Sequence, residues 1–326
     1  MNTVGIGRGI GKGLLSASVV SAFVLCGRMV KSGEAYLPDG WRGAWISTAA
    51  AFAFVLLILP FFSVITDMIL GPGEKNPLQK IICGLFSVLL CAAAVWVMLS
   101  VTREGANFVT AATGLERNEK LIGIVLIFSA ACIAASGREA VKKLSLVTLA
   151  IAVLCAAAML ALAFARGGAA SLNELVSQRA IAEGGDMTAI RRAFVGVFAP
   201  AAVGAAWLSQ SSREKGRLVG TAPNALLGVA LGGAVIALCF ATVLISQGAA
   251  YASVREYPYL SSVGSMTAGK LFMRPEGIVY IAYLSSVLSA LAICLSFVCR
   301  LVTDKKAKLL PFAAAAVMSV VCYFLL

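Results

Sequence analysis

The chain has 326 residues, of which 60% are apolar and only 13% are charged. Soluble domains carry about 25% charged residues, so this composition excludes a water-soluble core and indicates an integral membrane protein. The net charge of +12 is typical of membrane proteins that collect Lys and Arg in cytoplasmic loops, so it does not indicate a nucleic-acid partner.

Nine uninterrupted apolar runs stand between clusters of charged residues. A bilayer core about 30 Å thick needs about 20 apolar residues per helix, and each run approaches or exceeds that length. In chain order, the predicted transmembrane helices are 11–29, 44–70, 80–102, 120–136, 144–165, 193–210, 222–247, 275–300 and 309–326. The sequence therefore predicts an all-α polytopic membrane protein that forms one transmembrane domain over residues 1–326. No Asp, Glu, Lys or Arg is expected deep inside any run.

The cysteines give no sign of a disulfide or metal framework. All nine fall within apolar segments, none forms a Cys-x-x-Cys pair, and the chain contains no histidine. Disulfides and zinc sites are therefore not expected. Since no catalytic or cofactor-binding motif stands out either, we expect neither an enzyme nor a bound cofactor.

Basic residues set the predicted orientation. Lys and Arg concentrate in three short connections, at 138–143, 213–217 and 300–308, which follow the fourth, sixth and eighth segments. Short cytoplasmic loops are the ones that collect basic residues. We therefore predict a cytoplasmic N-terminus and, because the number of predicted helices is odd, an external C-terminus.

Two longer connections fall on the external side of this topology. Apolar residues at helical spacing over 172–181 predict a short helix on the outer membrane interface. The connection 248–274 carries Tyr257, Pro258 and Tyr259, and we expect it to form a lid over an outward-facing vestibule.

Small hydroxyl side chains and helix breakers are the polar features inside the predicted helices. Ser18 and Ser21 lie in the first segment, and Pro200 precedes Gly204 in the sixth. In transporters built from inverted repeats, such residues mark interrupted helices that bind substrate near the midplane. Alternatively, small residues simply let helices pack closely, and residue type alone favours this interpretation. The Gly-xxx-Gly pair at 228–232 predicts helix packing.

Several short motifs between the segments carry a family resemblance. They are LPDGW at 37–41, AWIS at 44–47, TREGANF at 102–108, LER at 115–117, GRE at 137–139, LNEL at 172–175, YPYL at 257–260 and RPE at 274–276. Together, in this order, they resemble the endospore germination permeases. These are the B subunits of nutrient germinant receptors, in the amino acid-polyamine-organocation superfamily.

The resemblance implies a transporter-like fold of two inverted five-helix repeats. The first repeat would span about 11–165, and the second, incomplete repeat about 193–326. Helices 1 and 6 would be broken, around 16–22 and 199–202, and would hold a small amino-acid-like ligand between them. Backbone donors would bind its carboxylate, and hydroxyls or carbonyls its ammonium. The implied ligand-binding residues are Ser18, Ser21, Ala199, Pro200, Ala201 and Gly204.

The chain also departs from the family it resembles. Ser and Ala stand where the family usually has glycine in helix 1, and the acidic residue common in helix 6 is absent. The Thr-Pro that usually follows Leu-Glu-Arg is replaced by Asn118 and Glu119. The ninth apolar run ends at Leu326, so we expect the fold to lack its tenth helix, or a partner to supply it.

Three functions follow from these observations. The first is a sensing subunit in the spore inner membrane or cell membrane, which binds a nutrient and signals to A-type and C-type receptor subunits. The second is an amino-acid permease, and the third is a structural subunit that binds no ligand. The absence of a deeply placed ionisable residue favours sensing over transport. The altered breaks favour the structural alternative. In every case the helices would be surrounded by membrane lipid.

Overall fold

In the computed structural model of the protein, residues 3–29, 41–70, 76–113, 118–165, 187–213, 221–247, 257–266, 276–302 and 309–325 are described. These residues form ten α-helices and contain no strand, which confirms the predicted all-α class. The helices are α1 (Thr3–Arg28), α2 (Trp41–Leu70), α3 (Pro77–Thr113), α4 (Glu119–Ala135), α5 (Arg138–Ala165), α6 (Met187–Arg213), α7 (Ala222–Gln247), α8 (Pro258–Ser265), α9 (Glu276–Val302) and α10 (Leu310–Leu325).

The described helices have the lengths and surfaces of a polytopic membrane protein. Six helical segments are long and apolar enough to cross a membrane: Thr48–Ile69, Pro77–Thr113, Arg138–Ala165, Ala193–Gln210, Ala222–Gln247 and Glu276–Leu301. Two further apolar helices, Gly13–Gly27 and Leu310–Phe324, are shorter. Large apolar side chains face outwards, such as Phe61 at 69% and Met68 at 76% exposure, where water would disfavour them. Nine membrane crossings remain a prediction.

Three helical stretches form the centre of the bundle. Every residue over 17–26 of α1, 200–209 of α6 and 289–297 of α9 is buried. A helix that is buried on all sides lies inside a bundle and not at its periphery. These stretches are therefore the axis around which the other helices pack.

Two pairs of parallel helices run through this core. In the first pair, Val20 and Val24 of α1 pack against Gly228 and Gly232 of α7, in the same chain direction. In the second pair, Phe62 of α2 meets Phe198 of α6 edge-on, with ring centroids 5.8 Å apart. Five positions further along α2 and eleven further along α6, a hydrogen bond again joins the two helices, between Asp67 and Ser209, so this pair is also parallel.

The helix ends gather at opposite ends of the bundle. Where α2 and α6 finish, Asp67 and Ser209 meet Thr221 at the start of α7. Arg138, at the start of α5, donates to the backbone carbonyl of Gln210 in α6 over 3.4 Å. We call this the Asp67 end. The start of α5, the end of α6 and the start of α7 therefore lie together, and they carry or flank two of the three basic stretches, 138–143 and 213–217.

The opposite end is closed by aromatic and cationic side chains. The Phe108 ring of α3 lies 5.5 Å from the ring of Tyr257, just before α8. Lys120, at the start of α4, donates to the Tyr323 carbonyl of α10 over 3.1 Å and lies over the ring of Tyr323. A cation near the last carbonyls of a helix is electrostatically favourable, so Lys120 stabilises the docking of α10.

The structure differs from two expectations about the segments that join the predicted helices. The third helix does not end at 102 but continues to Thr113, so Arg103 and the half-buried Glu104 lie within it. At 37 residues, α3 is about 55 Å long and exceeds the bilayer core. The charged pair therefore does not mark the end of the helix.

The described part of the predicted lid packs into the bundle. Tyr259 of α8 is fully buried, with its hydroxyl 3.9 Å from the Cys155 sulfur of α5. Burial raises the pKa of the Tyr259 phenol above its ordinary value, so the hydroxyl stays protonated. The rest of the predicted lid, and the interfacial helix predicted over 172–181, lie outside the described residues.

Candidate functional site

The predicted breaks in the first and sixth helices are wrong. α1 is continuous from Thr3 to Arg28, and α6 is continuous from Met187 to Arg213 with Pro200 inside it. Proline removes one backbone hydrogen bond, and membrane helices tolerate this when neighbouring helices pack around the site. The alanine and serine residues over 16–22 of α1 also favour a continuous helix more than glycine would.

The structure does bring α1 and α6 together, in antiparallel orientation. A Cβ built on Gly204 would lie 3.0 Å from the Phe23 ring of α1. Further along, a Cβ built on Gly27 would lie 3.8 Å from the carbonyl oxygen of Gly196. Phe23 is fully buried and fills the space beside Gly204. Contact between the two helices is therefore present, while the ligand space expected there is occupied by a side chain.

The predicted serines make hydrogen bonds within the bundle. Ser18 Oγ donates to the Leu15 carbonyl over 3.0 Å, one turn earlier in the same helix. Ser21 Oγ lies 2.8 Å from the Gly228 carbonyl of α7, to which it donates. Ser21 therefore links α1 to α7 and not to α6. Such bonds are typical of small hydroxyl residues at helix interfaces.

The remaining predicted residues lie on α6. Pro200 and Ala201 are buried, and Ala199 is partly buried against the core. None of these three carries a polar side chain, so any contact with a ligand would have to come from their backbone. Gly204, the fourth predicted residue on α6, lies directly against α1.

The Gly228–Gly232 pair packs as predicted. A Cβ on Gly228 would lie 2.7 Å from Val20 Cβ and closer still to the Ala17 carbonyl oxygen. A Cβ on Gly232 would lie 2.9 Å from Val24 Cβ. Two backbones can approach this closely only where side chains are absent. The packing prediction is confirmed.

Sequence reasoning missed a polar cluster at the Asp67 end. The Asp67 carboxylate of α2 accepts a hydrogen bond from the Ser209 hydroxyl of α6. Its other oxygen accepts one from the Thr221 hydroxyl at 2.9 Å and lies 3.4 Å from the Thr221 backbone nitrogen. We call Asp67, Ser209 and Thr221 the Asp67 cluster. An acidic residue in the last turn of an apolar helix was the signal that could have drawn attention to it.

Trp207 anchors the same stretch of α6 to two further helices. Its indole Nε1 donates to Ser296 Oγ of α9 over 2.6 Å. The Arg138 and Lys142 cations of α5 lie 5.9 and 5.7 Å from its ring centroid. Cations within about 6 Å of an indole face are attracted to it, most strongly when desolvated, and Lys142 is only 9% exposed. The end of α6 is thus held from several sides.

Aromatic rings surround Phe108 at the opposite end. Besides Tyr257, the rings of Tyr280 and Tyr283 of α9 lie 5.3 and 4.4 Å from it. Glu104 lies one turn earlier on the same face of α3. Phe108 is fully buried, so these rings pack on one another.

No protein-family model matches the chain, and no curated protein matches it. Among the described residues, no three His, Cys, Asp or Glu side chains come together in a way that could hold a metal ion.

Proposed function

We propose that the chain is a transporter-like membrane subunit of a nutrient germinant receptor, which senses a small amino-acid-like ligand and does not carry it across the membrane. The observation that carries this proposal is the pair of continuous, antiparallel helices α1 and α6 in contact at the centre of the bundle. The collinear motifs from 37–41 to 274–276 support the family assignment.

The two parallel helix pairs support the inverted repeat within this proposal. In such a repeat, helix 1 corresponds to helix 6 and helix 2 to helix 7. The packing of α1 on α7 then has its counterpart in the packing of α6 on α2, and both pairs are parallel as this relation requires. The proposed repeats are about 11–165 and 193–326.

The proposed orientation places the Asp67 end in the cytoplasm. The basic start of α5 and the helix ends that flank the basic stretch 213–217 meet there, and short basic connections face the cytoplasm in most membrane proteins. The membrane would be the spore inner membrane or the cell membrane. Lipid would contact the outward-facing apolar side chains, and A-type and C-type subunits would receive the signal.

The proposed ligand site lies between α1 and α6 at Gly204. Binding there requires Phe23 to leave the space it occupies, so a bound and an unbound arrangement would differ in the contact between the two helices. A ligand that binds one arrangement better shifts the population towards it, which is sufficient for sensing. Transport would in addition need unpaired backbone lining a path, and continuous helices do not offer it.

A structural subunit that binds no ligand is the second candidate. The fully buried Phe23 ring against Gly204 favours it, because the filled space is stable as it stands. The two candidates agree on the fold and on the partners. They differ in whether any small molecule stabilises the protein.

Thermal unfolding of the purified protein across the common amino acids distinguishes these functions. A ligand at 100 times its dissociation constant stabilises the folded state by about 2.7 kcal/mol. We expect one or a few amino acids to raise the unfolding temperature, and no uptake of them into proteoliposomes. The Gly204→Leu variant should lose the shift, while Gly84→Ala, on the exposed side of α3, should keep it. A flat panel would favour the structural subunit, and uptake would favour the permease.

A further inference from the structure

The Asp67 cluster joins three helices at their ends through one carboxylate. Asp67 lies in the last turn of α2, Ser209 in the last turns of α6, and Thr221 immediately before α7. Hydrogen bonds to a charged acceptor are about twice as strong as those between neutral groups. The carboxylate also lies at the positive end of the α7 dipole, which stabilises its charge. The cluster is therefore a strong contact at a single point.

We propose that the Asp67 cluster is a conformational latch, which holds the Asp67 end of the bundle closed and whose opening lets α2 move away from α6 and α7. The proposal concerns the motion of the bundle. It applies whether the chain senses a ligand, transports it or only supports its partners.

The position of the cluster suits a contact that opens and closes. Asp67 is only partly buried, and it lies at the end of an apolar helix and not at its middle. When the cluster opens, water can replace the lost hydrogen bonds at little net cost. At mid-membrane depth, the same separation would leave polar groups unpaired in lipid. The closed cluster is thus stabilised by its own hydrogen bonds, and when it opens, water can bond to the same polar groups.

The neighbouring contacts indicate which helix moves. α6 is fixed to α9 by the Trp207–Ser296 bond and to α5 by the bond from Arg138 to the Gln210 carbonyl. The other side of α2 carries exposed apolar side chains over 57–68, so no described helix covers it there. If the Asp67 cluster opens while α6 keeps its contacts with α9 and α5, α2 is therefore the helix that is displaced.

The other contacts of α2 allow such a movement. Towards its start, the Phe52 ring packs against Gly233 of α7, at 3.1 Å from a Cβ built there. Between this point and the Asp67 cluster, the Phe62 and Phe198 rings meet edge-on. Apolar side chains in lipid lose little when they slide past one another, since lipid tails replace the contact. α2 can then tilt about its first half while its last turns separate from α6.

Hydrogen–deuterium exchange of the full-length protein in detergent tests the latch. In Asp67→Asn, the amide oxygen cannot replace both carboxylate oxygens as acceptors. We expect peptides covering 62–70 and 221–228 to exchange about tenfold faster, the factor that a loss of 1.4 kcal/mol produces. Peptides covering 289–297, in the buried part of α9, should keep the wild-type rate.

Two further variants keep the test decisive. Ser209→Ala retains the carboxylate and removes one bond, so it should give the same local pattern even if Asp67→Asn fails to fold. Combining it with Asp67→Asn should add little, because both changes break the same bond. Thr66→Val is the matched control: its buried hydroxyl donates to the Phe62 carbonyl of its own helix, over 2.8 Å, and it should leave the exchange rates unchanged.

Three results would overturn the latch. Unchanged exchange at 62–70 in both Asp67→Asn and Ser209→Ala would show that the cluster does not control opening. An equal rise over 289–297 would show that the cluster only supports global stability. An equal effect of Thr66→Val would show that any lost hydroxyl in this part of α2 loosens the helix.

Discussion

Among the described glycines, Gly228 of α7 is the one at which a single added methyl group should cost the most stability. Its Cβ would meet Val20 Cβ at 2.7 Å and would come closer still to the Ala17 carbonyl oxygen. A backbone oxygen inside a helix cannot turn aside, so Gly228→Ala requires α1 and α7 to separate by about 0.5–1 Å before ordinary contact distances return. The separation also weakens the bond from Ser21 Oγ to the Gly228 carbonyl, now 2.8 Å long.

The expected loss of stability follows from three terms. Overpacking a well-filled interior costs about 1–3 kcal/mol, and an interhelical hydrogen bond in a membrane protein contributes about 0.6 kcal/mol. Alanine in a helix regains about 0.5–1 kcal/mol relative to glycine. We therefore expect Gly228→Ala to lower the free energy of unfolding by about 1–3 kcal/mol.

Denaturant-induced unfolding of the purified protein in detergent measures this loss. Gly84 of α3 is the matched control, because it is helical and exposed and no atom lies within 4 Å of its built Cβ. Gly84→Ala should be neutral or stabilise by up to about 1 kcal/mol. If Gly228→Ala proved as stable as Gly84→Ala, α1 and α7 would not pack at this position and the description of the core would fail.

Three further predictions concern the core and the topology. Gly204→Leu should lower the free energy of unfolding by about 1–3 kcal/mol, because the Phe23 ring already fills the space beside Gly204. Adding Phe23→Ala should restore part of this loss in the same unfolding measurement. Ser296→Ala should lower the free energy of unfolding by about 1–3 kcal/mol, because it leaves the indole N–H of the buried tryptophan on α6 without its acceptor. Denaturant-induced unfolding again measures this loss. With Cys132 replaced, a cysteine introduced at the exposed Ser136 should react with membrane-impermeant reagents from the cytoplasmic side. A cysteine introduced at the exposed Gly264 should react with them from the outside. The reverse pattern would invert the proposed topology.

The apolar runs were sufficient to locate the helices. Length and hydrophobicity decide where a chain can lie in a bilayer, and each predicted run coincides with a described helix. The end of α3 was missed because Arg103 and Glu104 end the apolar run but not the helix, which continues to Thr113. A charged pair that ends an apolar run therefore does not mark the boundary of the helix.

The predicted breaks had two sources: Ser18, Ser21, Pro200 and Gly204 suggested them, and the family resemblance then raised them above the packing interpretation. Ser18 and Ser21 satisfy their hydroxyls on backbone carbonyls, and alanines replace glycines around them, so α1 has no local reason to unwind. The packing interpretation, which residue type alone favoured, agrees with these bonds.

The Asp67 cluster could not be predicted from the sequence. Asp67 lies 142 positions from Ser209 and 154 from Thr221, and neither partner stands in a recognisable motif. A hydroxyl near a helix end usually bonds to its own helix, as Thr66 does one residue before Asp67. Only the arrangement of α2, α6 and α7 brings the three side chains together.

The proposed ligand contact and the Asp67 cluster lie in the same half of α6. Pro200 interrupts the backbone bonding of the helix, whereas Gly204 and Ser209 both follow it, about 7.5 Å apart along an uninterrupted stretch. Residues 200–209 are all buried and are fixed to α9 through Trp207, so this stretch moves as a unit or not at all. A ligand that displaces Phe23 from Gly204 would therefore act on Ser209 through this stretch of α6, and through Ser209 on α2. In the exchange measurement, Gly204→Leu should then speed peptide 62–70 as Ser209→Ala does, and an unchanged rate there would separate the ligand contact from the latch.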